Sequence, residues 1–361
     1  MAAALSKAAT NGKRELTGFP HEVVRNAWYV CAFRSEVVAD KLLARRILGQ
    51  PIVMYRTQAG KMVAMRDACP HRFMPLSKGR LYKDGIRCMY HGALFDETGA
   101  CLEVPSQHQI PPDCFVKVYP TVEVEKWVWI WMGDPDKADP KLIPDHQYLG
   151  MGSPGFRSVE ITPRLSQARY HLCNENLIDD THITYLHMGQ FESGNRVHTP
   201  PEVTQLGDWV RTRWFDPNEK ISNYFKMEFD VDYERAPRAL VGHFCPPVTH
   251  CVWIEVYDPK NPQALPKTLR IAFCFTPESD TSTHWFVCES RNYRTSNPEW
   301  DQFMRESFHL IQSQDLGAVE GIEQNLRNAR DLPDEVSFRV DASAMRARRS
   351  INAMLDREQG Q

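Results

Sequence analysis

The rhythm of apolar and polar positions changes twice along the chain. From Asn26 to Trp131, short runs of β-branched and aromatic residues alternate with polar turns marked by Gly60, Gly79, Gly85 and Gly99. Ala27-Trp28-Tyr29-Val30-Cys31-Ala32 and Ile52-Val53-Met54-Tyr55 are the clearest of these runs. The pattern predicts a small antiparallel β domain, closed by the stretch from Val122 to Met132. There Trp127, Trp129 and Trp131 alternate with Val128 and Ile130, which reads as sheet packing rather than a stacking platform. Gly133-Asp134-Pro135 and Pro140 then open an irregular linker that runs to Pro154. Beyond it, Gln167 to Leu186 is a helical candidate. Strand-like alternation fills 204–256 and 267–291, as in Ile271-Ala272-Phe273-Cys274-Phe275. A long helix is predicted from Pro298, its apolar stripe marked by Met304, Phe308, Ile311, Val319 and Ile322. Strands followed by a terminal helix predict an α+β domain, the helix packed on an antiparallel sheet. Neither a repeat nor a low-complexity segment is visible.

Length agrees with two domains, since 361 residues exceed the roughly 250–300 at which a single core stops growing. The divisions expected are a disordered tail over 1–20, a β domain over 21–135, a linker over 136–155 and an α+β domain over 156–361. A formal net charge of −3 supplies no field for nucleic acid and no polybasic membrane patch. The longest apolar run, Trp127 to Met132, falls far short of the ~20 residues that span a bilayer. Met1 to Leu16 carries Lys7, Lys13 and Arg14 but lacks the apolar stretch of a secretory signal. Ten cysteines without a Cys-x-x-Cys pair or a disulfide framework point to a reducing cytoplasm.

Two of those cysteines stand beside histidines. Cys69-Pro70-His71 and Cys88-Met89-Tyr90-His91 give Cys-x-His, sixteen residues, then Cys-x-x-His. Each pair can put a thiolate and an imidazole on one loop tip, and two tips can enclose a metal centre. Two sulfurs and two nitrogens fit tetrahedral zinc, or a [2Fe–2S] cluster with two histidines on one iron. The flanking residues favour iron–sulfur: Pro70 and Arg72, then Pro75-Leu76-Ser77-x-Gly79, and Tyr90 and Gly92 around the second pair. Together they resemble the cluster loops of Rieske proteins. Phe73-Met74, Met89 and Ala93-Leu94 depart from the commonest residues there, and none is a ligand.

A second constellation runs from Asn174 to His187, where Asp179, His182 and His187 read Asp-x-x-His-x-x-x-x-His. Histidines five apart lie about 140° around an ideal helix, so they share a metal only if the helix bulges or ends between them. Read alone, such a pair is more often surface or core. Asp315 alters that balance, because it falls in step with the apolar stripe of the last helix. A carboxylate buried there needs a cation or a donor, either a metal or an arginine from elsewhere. Two histidines and a carboxylate form the facial triad of non-haem Fe(II), which leaves positions for O2 and substrate.

The whole arrangement resembles the catalytic subunit of Rieske non-haem iron oxygenases, over roughly Asn26 to Arg330. Spacing and length are most similar to its small homomeric demethylases and monooxygenases, the dicamba and vanillate type. The resemblance implies an all-β Rieske domain followed by a helix-grip-like catalytic domain. It implies a [2Fe–2S] cluster on Cys69, His71, Cys88 and His91, and Fe(II) on His182, His187 and Asp315 with Asn176 as a neighbour. Asp179 would bridge a Rieske histidine and an iron ligand between subunits of a head-to-tail homotrimer. Compact domains of these sizes have centres roughly 30 Å apart, which argues for a neighbour in electron transfer. O2 would be the co-substrate of a small organic molecule, demethylated or else hydroxylated.

Gly150-Met151-Gly152-Ser153-Pro154-Gly155 matches Gly-x-Gly-x-x-Gly, but Pro154 sits inside it and a strand-like run follows. No strand–turn–helix is present, so NAD(P)H would act only through a separate reductase, with or without a ferredoxin. The rival class is a Rieske electron carrier without oxygenase activity. It predicts one small domain and about two irons per chain rather than three.

Overall fold

The computed structural model describes residues 23–179, 181–188, 190, 198–329 and 332–360. The tail expected over 1–20, and Asp180, lie outside them. The first half contains β1 (Trp28–Phe33), β2 (Leu43–Ile47), β3 (Gln50–Arg56), β4 (Met62–Arg66), β5 (Arg80–Tyr82) and β6 (Gly85–Arg87). It continues with β7 (Leu94–Phe95), β8 (Cys101–Glu103), β9 (Val118–Tyr119), β10 (Thr121–Val124) and β11 (Trp127–Trp131). They form three antiparallel sheets, ordered β1-β11-β10, β2-β3-β4-β9 and β5-β6-β7-β8.

Strand β11 is central in its sheet, and all five of its residues are buried. Both faces are therefore covered, which is why tryptophan can alternate with valine and isoleucine without a solvent side. The indole N–H of Trp129 donates to His146 Nε2 at 2.9 Å, so the large ring leaves no polar atom unmatched. Trp129→Ala should cost about 3–5 kcal/mol through the cavity it opens. A fall in the denaturant midpoint at unchanged slope will register the loss, and an unchanged midpoint would contradict this account of the core.

The second half contains β12 (Arg157–Ser166), α1 (Tyr170–Ile178), α2 (His182–Leu186), β13 (Glu202–Leu206), β14 (Trp209–Lys220) and α3 (Asn223–Phe229). Then come β15 (Arg235–Cys245), β16 (Thr249–Val256), β17 (Lys267–Ser279), β18 (Ser282–Arg291), α4 (Pro298–Asn328) and α5 (Ala342–Gln359). Its strands form one antiparallel sheet of seven, ordered β12-β18-β17-β16-β15-β14-β13. The fold is α+β, as the sequence leads one to expect. Register aligns Leu240, Ile254, Leu269 and Arg291 across four strands, and Gly242, Val252, Ile271 and Glu289 in the next row of that face. Asn297 caps α4, accepting from Glu299 N–H at 2.9 Å, and Pro298 occupies its first turn. The helix lays Met304, Phe308, Leu316 and Val319 into the core, Phe308 meeting Phe273 at 5.9 Å.

Several elements differ from the sequence reading. The helix expected over Gln167 to Leu186 is two, α1 ending at Ile178 and α2 starting at His182. Helix α3 interrupts the strands expected over 204–256, started by Ser222, whose hydroxyl accepts from Phe225 N–H. Ile322 is exposed, and the buried stripe of α4 ends instead on Val319 and Glu323. Helix α5, which the sequence reading did not anticipate, buries only Ala344, Ala347, Ile351 and Leu355 of its apolar residues.

One apolar cluster runs from β1 and β11 into the seven-stranded sheet. Phe33 and Phe286 meet across the seam at 5.8 Å, and Thr276 Oγ1 donates to Val30 O at 2.7 Å. Leu48 N–H and Gly49 N–H donate to Pro277 O and Glu278 O. Gly150 lies in the loop before β12 with φ of +98°, and a Cβ there would meet Ser290 and Arg270 within 3 Å. Close approach to the sheet, not a nucleotide, accounts for that glycine. No helix among the described residues is long and apolar enough to cross a membrane.

Candidate metal centres

The loops after β4 and after β6 are built alike. Cys69 N–H donates to Met74 O and Phe73 N–H to Cys69 O; Cys88 N–H donates to Ala93 O and Gly92 N–H to Cys88 O. Phe73 and Gly92 hold the matching left-handed position, with φ of +58° and +79°. These twin loops bring His71 Nδ1 and His91 Nδ1 to 3.2 Å of each other. The imidazoles are exposed, while Cys69 and Cys88 are buried in a second, smaller apolar cluster with Leu76, Ile86 and Phe95. Burial, with Cys88 close by, pushes the Cys69 thiol up to about 11. Two thiolates side by side in that cluster require a cationic centre, so the donor set fits a metal cluster. None of the ten cysteines is paired in a disulfide.

The second site joins α1, α2 and α4. Glu323 of α4, fully buried, accepts from Arg169 Nε at 2.6 Å and Nη2 at 2.9 Å, where Arg169 precedes α1. On the other side Arg348 of α5 pairs with Glu175 and Glu335. With α1 held from both sides, the chain turns at Asp179, whose φ of −86° and ψ of 114° end the helix. Asp179 Oδ1 accepts from Thr181 N–H and Thr181 Oγ1, both at 2.7 Å, a local turn that competes with helical continuation. Asp179 and His182 therefore do not lie on one continuous helix, as the single helix expected over Gln167 to Leu186 would have had it. Helix α2 ends at Leu186, and His187 is its C-cap with ψ of 34°, so the helix does end between the two histidines.

That break brings donors together. His182 Nε2 lies 3.5 Å and His187 Nε2 3.2 Å from Asp315 Oδ1, and one donor atom from each of the three residues falls within 4.8 Å of the others. Asn176 Nδ2 reaches the same Asp315 oxygen at 3.3 Å. His182 Nδ1 stands 3.8 Å from Asp179 Oδ2, too far for a hydrogen bond but within reach of its charge. Burial would lower the His182 imidazole, yet the carboxylates of Asp179 and Asp315 outweigh it and hold it up to about 9. Burial likewise works against the Asp315 carboxylate, and His182 and His187 still keep it below the usual range. Two carboxylates facing His182 call for a positive charge at this point, which a divalent cation held by the three donors would supply.

Two family models cover most of the chain. Residues 27–120 match the Rieske [2Fe-2S] domain, and residues 166–357 match the vanillate O-demethylase oxygenase C-terminal domain. The chain is a Rieske non-haem iron oxygenase. The oxygenase is 32% identical over 349 residues to the iron–sulfur subunit of the toluene-4-sulfonate monooxygenase system of Comamonas testosteroni, covering 93% of this chain and 98% of the relative. It is 32% identical to the oxygenase component of dicamba O-demethylase of Stenotrophomonas maltophilia, over 88% of this chain and 95% of that one. The crystal structure of dicamba monooxygenase bound to 3,6-dichlorosalicylic acid superposes with a TM-score of 0.86 at 29% identity, over 94% of this chain and 99% of that chain. An oxygenase component incorporates O2 and takes its electrons from a separate reductase.

One residue of the site escaped the sequence reading. Gln314 Oε1 lies 2.8 Å from His187 Nδ1, fixing the ring so that Nε2 faces Asp315. Its only signal is adjacency to Asp315 on a helix.

Proposed function

We propose that the oxygenase removes a methyl group from, or otherwise mono-oxygenates, a small aromatic substrate held beside His182, His187 and Asp315. The observation that carries this reading is the convergence of those three donors at the edge of a cavity walled by Leu240, Ile254, Ile271 and Phe273. The three residues would hold Fe(II), and the Cys69, His71, Cys88 and His91 loops would hold the [2Fe–2S] cluster. Together these groups supply O2 activation and the electrons for it. The chain's own residues do the rest. Gln314 orients His187, Asn176 steadies Asp315, and the apolar walls exclude water.

Electron delivery in this reading passes between subunits of a homotrimer, through Asp179. An open cleft of about 840 Å³ supports it, because Asp179 and His182 line it beside the exposed Tyr185. Exposed apolar side chains also lie at both ends of such a contact: Phe73, Met89 and Tyr90 on the cluster loops, and Tyr185 in the cleft.

Loaded protein should contain about three irons and two sulfides per chain. With a reductase, O2 and methoxylated or N-methylated aromatics, it should release formaldehyde in step with O2 uptake. Hydroxylated product with the methyl group retained would move the reading to hydroxylation. Two irons and no O2 uptake would leave only an electron carrier.

A further inference from the structure

Arg238 of β15 lines the same cavity as His182, His187 and Asp315, and it is 1% exposed. In sequence it sits between Ala236 and Leu240 on the inward face of its strand, where an apolar residue would be ordinary. Its guanidinium packs on the rings of Phe225 at 4.5 Å and Trp214 at 5.4 Å. Along one edge, Nε and Nη2 both donate to Glu219, itself buried on β14, with 2.7 Å for Nη2 to Oε1. The third nitrogen, Nη1, is buried and has no hydrogen-bond partner among the described residues.

The pair on that edge occupies Nε and Nη2 and leaves the far side of the guanidinium over. Guanidinium stays charged at every working pH, and its Nη1 carries two N–H groups. Buried donors without acceptors are few in native proteins, and one on a side chain that lines a cavity can be met by an acceptor that arrives with a ligand. The charge balance around the cavity indicates which acceptor. Glu289, on the same wall, is buried and held well above the usual carboxyl range, first by burial and then by Glu228. Burial pushes Glu228 itself up to about 7. Behind them, Arg291 and Arg157 share the single carboxylate of Asp301. Arg238 pairs one to one with Glu219, while two guanidinium groups meet the one Asp301 carboxylate.

We propose that Arg238 Nη1 is the anchor for an oxyanion on the substrate, a carboxylate or sulfonate carried by an aromatic ring. The ring lies along the apolar wall of Leu240, Ile254 and Ile271, and the anchored end determines which end remains to face the metal triad. This assignment rests on reading the cavity as the substrate site of the oxygenase.

Binding separates it from turnover. Calorimetry on the metal-loaded, oxidised protein without reductant allows no reaction, and the probes are para-methoxybenzoate, para-methoxybenzenesulfonate and the neutral para-methoxybenzamide. The two anions should bind about tenfold or more tighter than the amide, and the tighter of the two identifies the oxyanion. Arg238→Lys keeps a cation opposite Glu219 but has no Nη1, and it should lose about that factor for the anions and none for the amide. Equal affinity for anion and amide in the wild type, no binding of either anion at millimolar concentration, or unchanged anion affinity in Arg238→Lys overturns the assignment. If Arg238→Lys does not fold, the wild-type series decides alone. A failure of the demethylation reading looks different: the anions bind with the stated preference, yet no methoxyarene, charged or neutral, is oxidised.

Discussion

Asp315→Ala will abolish turnover and leave the visible absorption of the [2Fe–2S] cluster unchanged. Asp315 Oδ1 is the atom on which His182, His187 and Asn176 all converge, at 3.2 to 3.5 Å. Removing it leaves two neutral imidazoles, which supply neither the third ligand nor the negative charge of a facial triad. The chain should then retain about two irons rather than three, and O2 uptake with substrate should fall by several orders of magnitude. His182→Ala and His187→Ala should behave alike. The cluster loops rest on the β5-β6-β7-β8 sheet and its own apolar cluster, so their chromophore has no reason to move. Full activity and a third iron in Asp315→Ala would show that Asp315 is an ordinary buried acid satisfied by histidines.

The second large effect belongs to Asp179→Asn. Burial raises the Asp179 carboxyl, but His182 and Thr181 more than offset it and keep it ionised, below the usual range. One oxygen is used by Thr181, and the other faces His182 Nδ1 from the wall of the open cleft. A carboxylate behind a metal-bound imidazole orients the ring and raises its basicity. Asparagine keeps the size and loses the charge, so both centres should still load. Steady-state oxidation should nevertheless fall by about two orders of magnitude. The deciding measurement is single-turnover reoxidation of the prereduced cluster with substrate and O2. A wild-type rate there removes the relay role, and Asp180→Asn serves as the control that should change little.

The parts of this molecule legible in the sequence are those whose signal is local. Cys69 to His71 and Cys88 to His91 are each one loop, so ligand spacing alone pointed to the site that the twin loops form. Asp315 was legible because a carboxylate in the buried row of α4 conflicts with its neighbours. The rest depends on contacts made at a distance. Ile322 keeps the helical period yet is exposed, because the row ends on Glu323, and only the fold brings Arg169 to meet it. The helix break at Asp179 comes from an Asp-x-Thr turn that a 3.6-residue period hides. Arg238 carried a faint signal, a cation at an inward position of a strand, but its meaning lies in Glu219, Phe225 and the unmatched Nη1.

The seam between the halves has a consequence for inheritance. Phe33 against Phe286, Thr276 on Val30 and the Leu48–Pro277 contact make the wall of the β domain specific to this sheet. A chimera that took its first half from a relative at about this divergence would keep the backbone bonds of the seam and stake its packing on the partner offered to Phe286. The seam should therefore couple the unfolding of the two halves, which coincident transitions by two probes would show. The Cys69 and Cys88 loops pack in the smaller core instead, which shares β3 and β4 with the seam's cluster, so a change at the seam reaches them through those strands.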